Sequence, residues 1–173
     1  GKTSLFKGEP ISRQLCSVRD AISLGAVAVG YTIYIGSAHE NIMLQEFEKI
    51  EQEAHKKGIP VIVWIYPRGR SIEGKDPSEL MVYSARVALE IGADIAKIHY
   101  TGKKEKLKWA VKSAGKTKVV IAGGAKTDEK RLLEQTKEIM DSGAIGLAIG
   151  RNVWQSQNPM EITRKVKKII WKN

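Results

Sequence analysis

Lys97 lies within an apolar stretch, Ile95-Ala96-Lys97-Ile98, where burying an ammonium is costly unless it serves a purpose. Desolvation and nearby cations lower a lysine pKa and free the amine to attack a carbonyl, which gives a Schiff base. An edge-strand lysine, or one paired with a carboxylate, is the plain alternative. A side-chain period of two puts Lys97 and His99 on one face of their strand. The same period puts Trp64, Tyr66 and Arg68 on one face of another. If both faces point the same way, an amine, a phenol and an indole meet at one mouth. Tyr66 would then move a proton at the carbon next to the imine. Core packing accounts for the spacing of Tyr66 and Trp64 equally well.

Two glycine-rich segments suit an anion. Gly123-Gly124 follows an apolar run and precedes a helical pattern, so backbone N–H groups and a helix start can face a phosphate. Gly150-Arg151 repeats the arrangement one unit later and adds a guanidinium able to grip a phosphate through two parallel bonds. Tight turns would explain a lone Gly-Gly as well; the repetition in consecutive final units strengthens the phosphate reading. His39, His55 and His99 are widely spaced and accompany no Cys or carboxylate cluster, so chemistry without a metal or cofactor is expected. Neither a Walker-type loop nor a Gly-x-Ser-x-Gly turn occurs.

Strand-length apolar runs that could carry these groups span 26–35, 60–66, 94–100, 118–122 and 144–149. They are nearly continuous in Val, Ile and Ala, as in parallel strands covered on both faces. Amphipathic segments at about 12–23, 38–57, 77–90, 103–114 and 128–142 alternate with them, which is the βαβ pattern of an α/β protein. Leu24-Gly25-Ala26, Ile91-Gly92-Ala93 and Ser142-Gly143-Ala144 repeat a helix-ending glycine followed by a strand start. Five strand–helix units with uniform short connections favour a (β/α) barrel over an open sheet. A complete eight-fold barrel takes about 250 residues, so 173 residues are expected to supply part of one, with a different, smaller arrangement as the alternative.

Composition bounds the rest. One cysteine excludes a disulfide scaffold and suits a reducing, cytoplasmic setting. No apolar run has membrane-helix length, so no membrane association is expected. The formal charge of +10 allows a nucleic-acid partner. The lysines are scattered through helical contexts, however, and aromatics make up only 6% and do not alternate with basic residues. A solvated basic surface is the better reading, with a few cations left to hold a phosphorylated small molecule.

Val29-Gly30-Tyr31-Thr32-Ile33-Tyr34, Trp64-Ile65-Tyr66-Pro67-Arg68-Gly69, Ala96-Lys97-Ile98-His99-Tyr100-Thr101-Gly102, Ala122-Gly123-Gly124-Ala125-Lys126-Thr127 and Gly150-Arg151-Asn152-Val153-Trp154-Gln155 resemble, in order, the archaeal-type class I fructose-1,6-bisphosphate aldolases. The resemblance implies a (β/α)8 TIM-barrel fold and a homo-oligomer. It also implies a lyase that interconverts fructose 1,6-bisphosphate with dihydroxyacetone phosphate and glyceraldehyde 3-phosphate, in glycolysis or gluconeogenesis. By the same match Lys97 carries the Schiff base, Tyr66 transfers the proton and Trp64 shapes the pocket. Gly123, Gly124, Gly150 and Arg151 would hold one substrate phosphate, and Arg68 the other. The sequence departs from the family pattern in two ways. Ala122 stands where many relatives carry Ser, and three earlier strands, the first ending in an Asp-His-Gly-like segment, are not among these residues. Residues 1–173 are thus expected to form a single domain, the C-terminal portion of the barrel, with two apolar sheet edges open. Two further readings are a related aldolase-type enzyme making precursors of aromatic compounds, and a non-catalytic remnant that binds phosphate.

Overall fold

The computed structural model describes residues 8–171. The parallel strands β1 (Val29–Ile35), β2 (Val61–Pro67), β3 (Ile95–His99), β4 (Lys118–Ala122) and β5 (Gly146–Ala148) form one sheet in the order β1-β2-β3-β4-β5. Helices α1 (Val18–Ser23), α2 (Glu40–Lys56), α3 (Pro77–Glu90), α4 (Lys104–Ser113) and α5 (Glu129–Asp141) alternate with the strands, and α6 (Arg151–Trp154) and α7 (Pro159–Ile170) follow β5. Neighbours in sequence are neighbours in the sheet throughout. A doubly wound sheet reverses direction partway, so this wiring is that of the (β/α)8 TIM-barrel type, with five strands described.

Helix starts follow local side-chain chemistry. Asp76 accepts from Ser78 N at 2.8 Å ahead of Pro77 at the first turn of α3, and Asp128 accepts from Arg131 N at 2.9 Å to open α5. The expected helix at 12–23 begins only at Val18, because Ser17 is its cap and the chain before it is held elsewhere. Arg13 Nε and Gln14 N both reach Glu46 of α2, at 2.7 and 2.9 Å, and Ser12 N lies 3.4 Å from Met43 Sδ.

The sheet has two unlike faces. Val61, Val63, Ile65, Ala96, Ile98, Val119 and Ile121 point to one side and are fully buried in the core that α2, α3 and α4 build with Phe47, Met43, Ala85 and Leu107. Ile62, Trp64, Tyr66, Lys97 and Val120 alternate with them on the other side and are only partly buried. Coverage on both faces, expected from the continuous apolar runs, is therefore complete on one face and partial on the other among the described residues, where Tyr34 and Ala122 are buried. The reason is closure: β1 pairs only with β2 and β5 only with β4, and a barrel interior fills when about eight strands close on themselves. Several partly exposed lysines are tied across helices, as in Lys104–Asp141 and Lys165–Glu129. That fits a solvated basic surface, and such pairs add little stability.

One glycine fixes the loop after β2. Gly69 has φ +129° and ψ 172°, a region only glycine occupies readily, and an added Cβ would lie 2.2 Å from Gly36 O. Gly69→Ala is expected to destabilise the fold by about 2–3 kcal/mol, read as a Tm about 5–10 °C lower, and to displace Arg68. An unchanged melting curve would show that this loop does not pack as described.

Candidate active site

Strand register assembles the site. Thr32, Trp64, Lys97, Val120 and Gly146 pair in one continuous row across all five strands. The next row towards the strand ends carries Tyr34 beside Tyr66, and Ala122 between His99 and Ala148. Lys97 and Trp64 are thus direct neighbours, and the Lys97 Nζ lies 5.8 Å from the Trp64 ring centroid. Tyr66 and His99 stack with ring centroids 4.7 Å apart and planes tilted by 32°. The Arg68 guanidinium covers Tyr34 and Tyr66 at 5.7 and 5.8 Å from their ring centroids. Parity and register thus bring Lys97, His99, Trp64, Tyr66 and Arg68 to one mouth, with Arg68 and His99 exposed at its rim.

Lys97 has no hydrogen-bond or carboxylate partner among the described residues. Partial burial, with no counter-charge, pulls its ammonium pKa below the usual 10.5. The carboxylate pairing that would have made it a structural lysine is therefore absent among the described residues. Burial raises the Tyr66 phenol, Arg68 opposes that rise, and Tyr34 adds to it. His99 is held below the usual 6.5 by burial and by the cations Arg68 and Lys97. The arrangement offers an amine biased towards its nucleophilic form beside a phenol that stays protonated, the pair an imine-forming site needs.

Trp64 owes its position to a glycine that sequence reasoning did not single out. A Cβ at Gly30 would lie 1.8 Å from Trp64 Cζ3, so the indole can occupy the space over β1 only because residue 30 has no side chain. An isolated glycine inside a strand pattern is the available signal for such close approach. Trp154 sits the same way against Gly150, where a Cβ would lie 2.2 Å from its Cη2.

The Gly123-Gly124 end opens into a cavity of about 330 Å³ lined by His99, Gly123, Gly124, Lys126, Arg131 and Asn152, among others, whereas Gly150, Arg151 and Lys97 do not line it. The two glycines there are not equivalent. Gly123 N donates to Ala148 O at 3.0 Å, so it is not available to an anion, and a Cβ at this position would sit 3.0 Å from Ile149 Cα. The expected pair of free donors at Gly123-Gly124 is corrected to one, because the ladder between β4 and β5 continues one residue past the strand. Gly124 N and Gly150 N have no partner among the described residues, and Arg151 is exposed without a carboxylate partner. A larger cavity of about 390 Å³ runs along the edge of β1 between residues 12–18 and 28–32; Gly30 and Thr32 line it, but Lys97, Trp64, Tyr66, His99 and Arg68 do not.

Asn152 holds the two glycine loops together. Buried to 8% exposure, it accepts from Thr127 N at 2.8 Å and donates to Ala125 O at 3.3 Å. Lys126 Nζ adds a 2.6 Å bond to Gln155 O. No sequence pattern marks Asn152, since its partners lie more than twenty residues away. Asn152→Ala leaves Thr127 N unsatisfied and is expected to lower stability by about 1–3 kcal/mol, measured by denaturant midpoint, and to weaken phosphate-ester binding at the same time. Loss of stability with unaltered binding would separate this pin from the anion site.

The description "DeoC/LacD family aldolase" belongs to the family pattern that matches residues 2–156. The chain is 46% identical over 172 residues to the fructose-bisphosphate aldolase class 1 of Thermoproteus tenax, covering 99% of this chain and 65% of that protein. It superposes with a TM-score of 0.96 and 45% identity on the crystal structure of an archaeal fructose 1,6-bisphosphate aldolase, covering 100% of this chain and 69% of that one. Another match, with TM-score 0.95 and 45% identity over 99% of this chain and 68% of that one, is an archaeal fructose-1,6-bisphosphate aldolase whose catalytic Lys is covalently bound to the carbinolamine intermediate of its substrate. The chain thus spans a little under two thirds of the length of the curated relative. The matched stretch runs through the lysine row, the stacked aromatics and both glycine ends, and the chain belongs to the DeoC/LacD family of aldolases.

Proposed function

We propose that the chain carries the Schiff-base centre of a class I fructose-bisphosphate aldolase, as the C-terminal portion of a single barrel domain. The observation that carries this reading is Lys97, half-buried, without a counter-charge, and in register with Trp64 on the open face of the sheet. Lys97 attacks the ketone of fructose 1,6-bisphosphate and loses water to give the imine. The carbon–carbon bond breaks as the C4 hydroxyl gives its proton to water, and glyceraldehyde 3-phosphate departs. Tyr66 gives its phenol proton to the enamine carbon and regains one from water, and hydrolysis of the resulting imine frees dihydroxyacetone phosphate and Lys97. Trp64, laid over Gly30, walls the pocket beside the amine. Gly124, Gly150 and Arg151 hold one phosphate on a ledge that Gly123 shapes, and Arg68 meets the other.

The likeness to an aldolase captured as a carbinolamine supports the covalent route. No metal or cofactor takes part in this scheme. Among the described residues no helix is long and apolar enough to cross a membrane. A cytoplasmic homo-oligomer acting on a phosphorylated sugar completes the reading, and nucleic acid has no place in it. Cleavage of fructose 1,6-bisphosphate, followed through both triose phosphates with a chelator present, tests it. Production of both trioses at an undiminished rate is expected. Absence of cleavage, or its loss with chelator, would overturn the proposal.

A further inference from the structure

His99 is used by none of the steps above, yet it stands where the two halves of the site meet. It shares the strand face of Lys97 two residues further on and stacks on Tyr66 at 4.7 Å. It also lines the cavity that contains Gly123 and Gly124, and its register partner is Ala122, the residue leading into them. Neither ring nitrogen has a hydrogen-bond partner among the described residues. The titratable neighbours facing it are Lys97 on its own strand, Tyr66 and Arg68 from β2, and Lys126 and Arg131 across the cavity. All the charged ones are cations, and Arg68 and Lys97 help keep the imidazole neutral, with one N–H to donate and one nitrogen to accept.

We infer that His99 is a substrate-contacting residue that hydrogen-bonds the phosphate-ester end of the bound ketose, between the carbon attached to Lys97 and the phosphate at Gly124. Stacking on Tyr66 holds the imidazole at the border of that cavity. Such a contact selects phosphorylated ketones over their unphosphorylated counterparts. The inference rests on the Schiff-base reading above.

The two are separable by borohydride trapping of the full chain with dihydroxyacetone phosphate and, in parallel, with dihydroxyacetone. His99→Phe keeps a stacking ring and removes both nitrogens. The half-saturating concentration of dihydroxyacetone phosphate is expected to rise about five- to tenfold, as for one lost hydrogen bond, while that of dihydroxyacetone stays within about twofold. His99→Gln, which restores an amide donor, should recover most of the difference. If His99→Phe does not fold, His99→Ala is read in the same way. Adducts in the wild type with equal losses for both ketones, or none, would overturn the role of His99 alone. Absence of any adduct in the wild type would overturn the Schiff-base reading and this contact with it.

Discussion

Lys97→Met removes the nucleophile while keeping a long apolar stem, and the cleavage rate is expected to fall by at least about 10⁴-fold with the fold intact. The size follows from what the amine does. Without a covalent imine, the carbon–carbon bond must break to an unstabilised carbanion, which no other group in the row can delocalise. Stability should not suffer, since Lys97 makes no hydrogen bond or ion pair among the described residues and burial already disfavours its charge. The sign of the pH effect follows too. The lowered pKa gives a larger neutral fraction at any pH below 10.5, so adduct formation rises with pH and levels off at a midpoint under 10.5. A midpoint at or above that value would show that the strand does not desolvate the amine.

Tyr66→Phe should separate binding from chemistry. It keeps the ring stacked on His99 and under Arg68 but deletes the hydroxyl, so cleavage is expected to drop by about 10²–10⁴-fold, the range for one general acid–base group. Imine formation with dihydroxyacetone phosphate should survive, because Lys97 and the glycine loops are untouched. The raised phenol pKa means that Tyr66 remains protonated through neutrality and gives up its proton only at the moment of transfer. Equal losses in trapping and in turnover would instead assign Tyr66 to pocket shape.

Much of this arrangement was legible in the chain itself. The helix at Pro77–Glu90 and the strand at Lys118–Ala122 fall where their patterns end, because Asp76-Pro77 opens the helix and Gly123-Gly124 follows the strand. Parity groups Lys97 with His99 and Trp64 with Tyr66 and Arg68, and the register of β2 with β3 joins the two groups on one face. Four features lay outside that logic. The residues before Val18 have helical spacing but are drawn off by Glu46, a contact between distant segments. Helix α7 reads as a basic surface run, although Ile162 and Val166 are buried against Leu132 of α5. Gly30 beneath Trp64, and Asn152 between the glycine loops, depend on side chains that meet only after the sheet has formed.

The account turns on Lys97 as an amine that bonds to a ketone, and borohydride reduction in the presence of dihydroxyacetone phosphate, followed by peptide mass mapping, measures that bond directly. The predicted result is one stable adduct per chain, on the peptide containing Lys97, absent from Lys97→Met. A folded protein that yields no adduct, or one that is modified at another lysine, would contradict it.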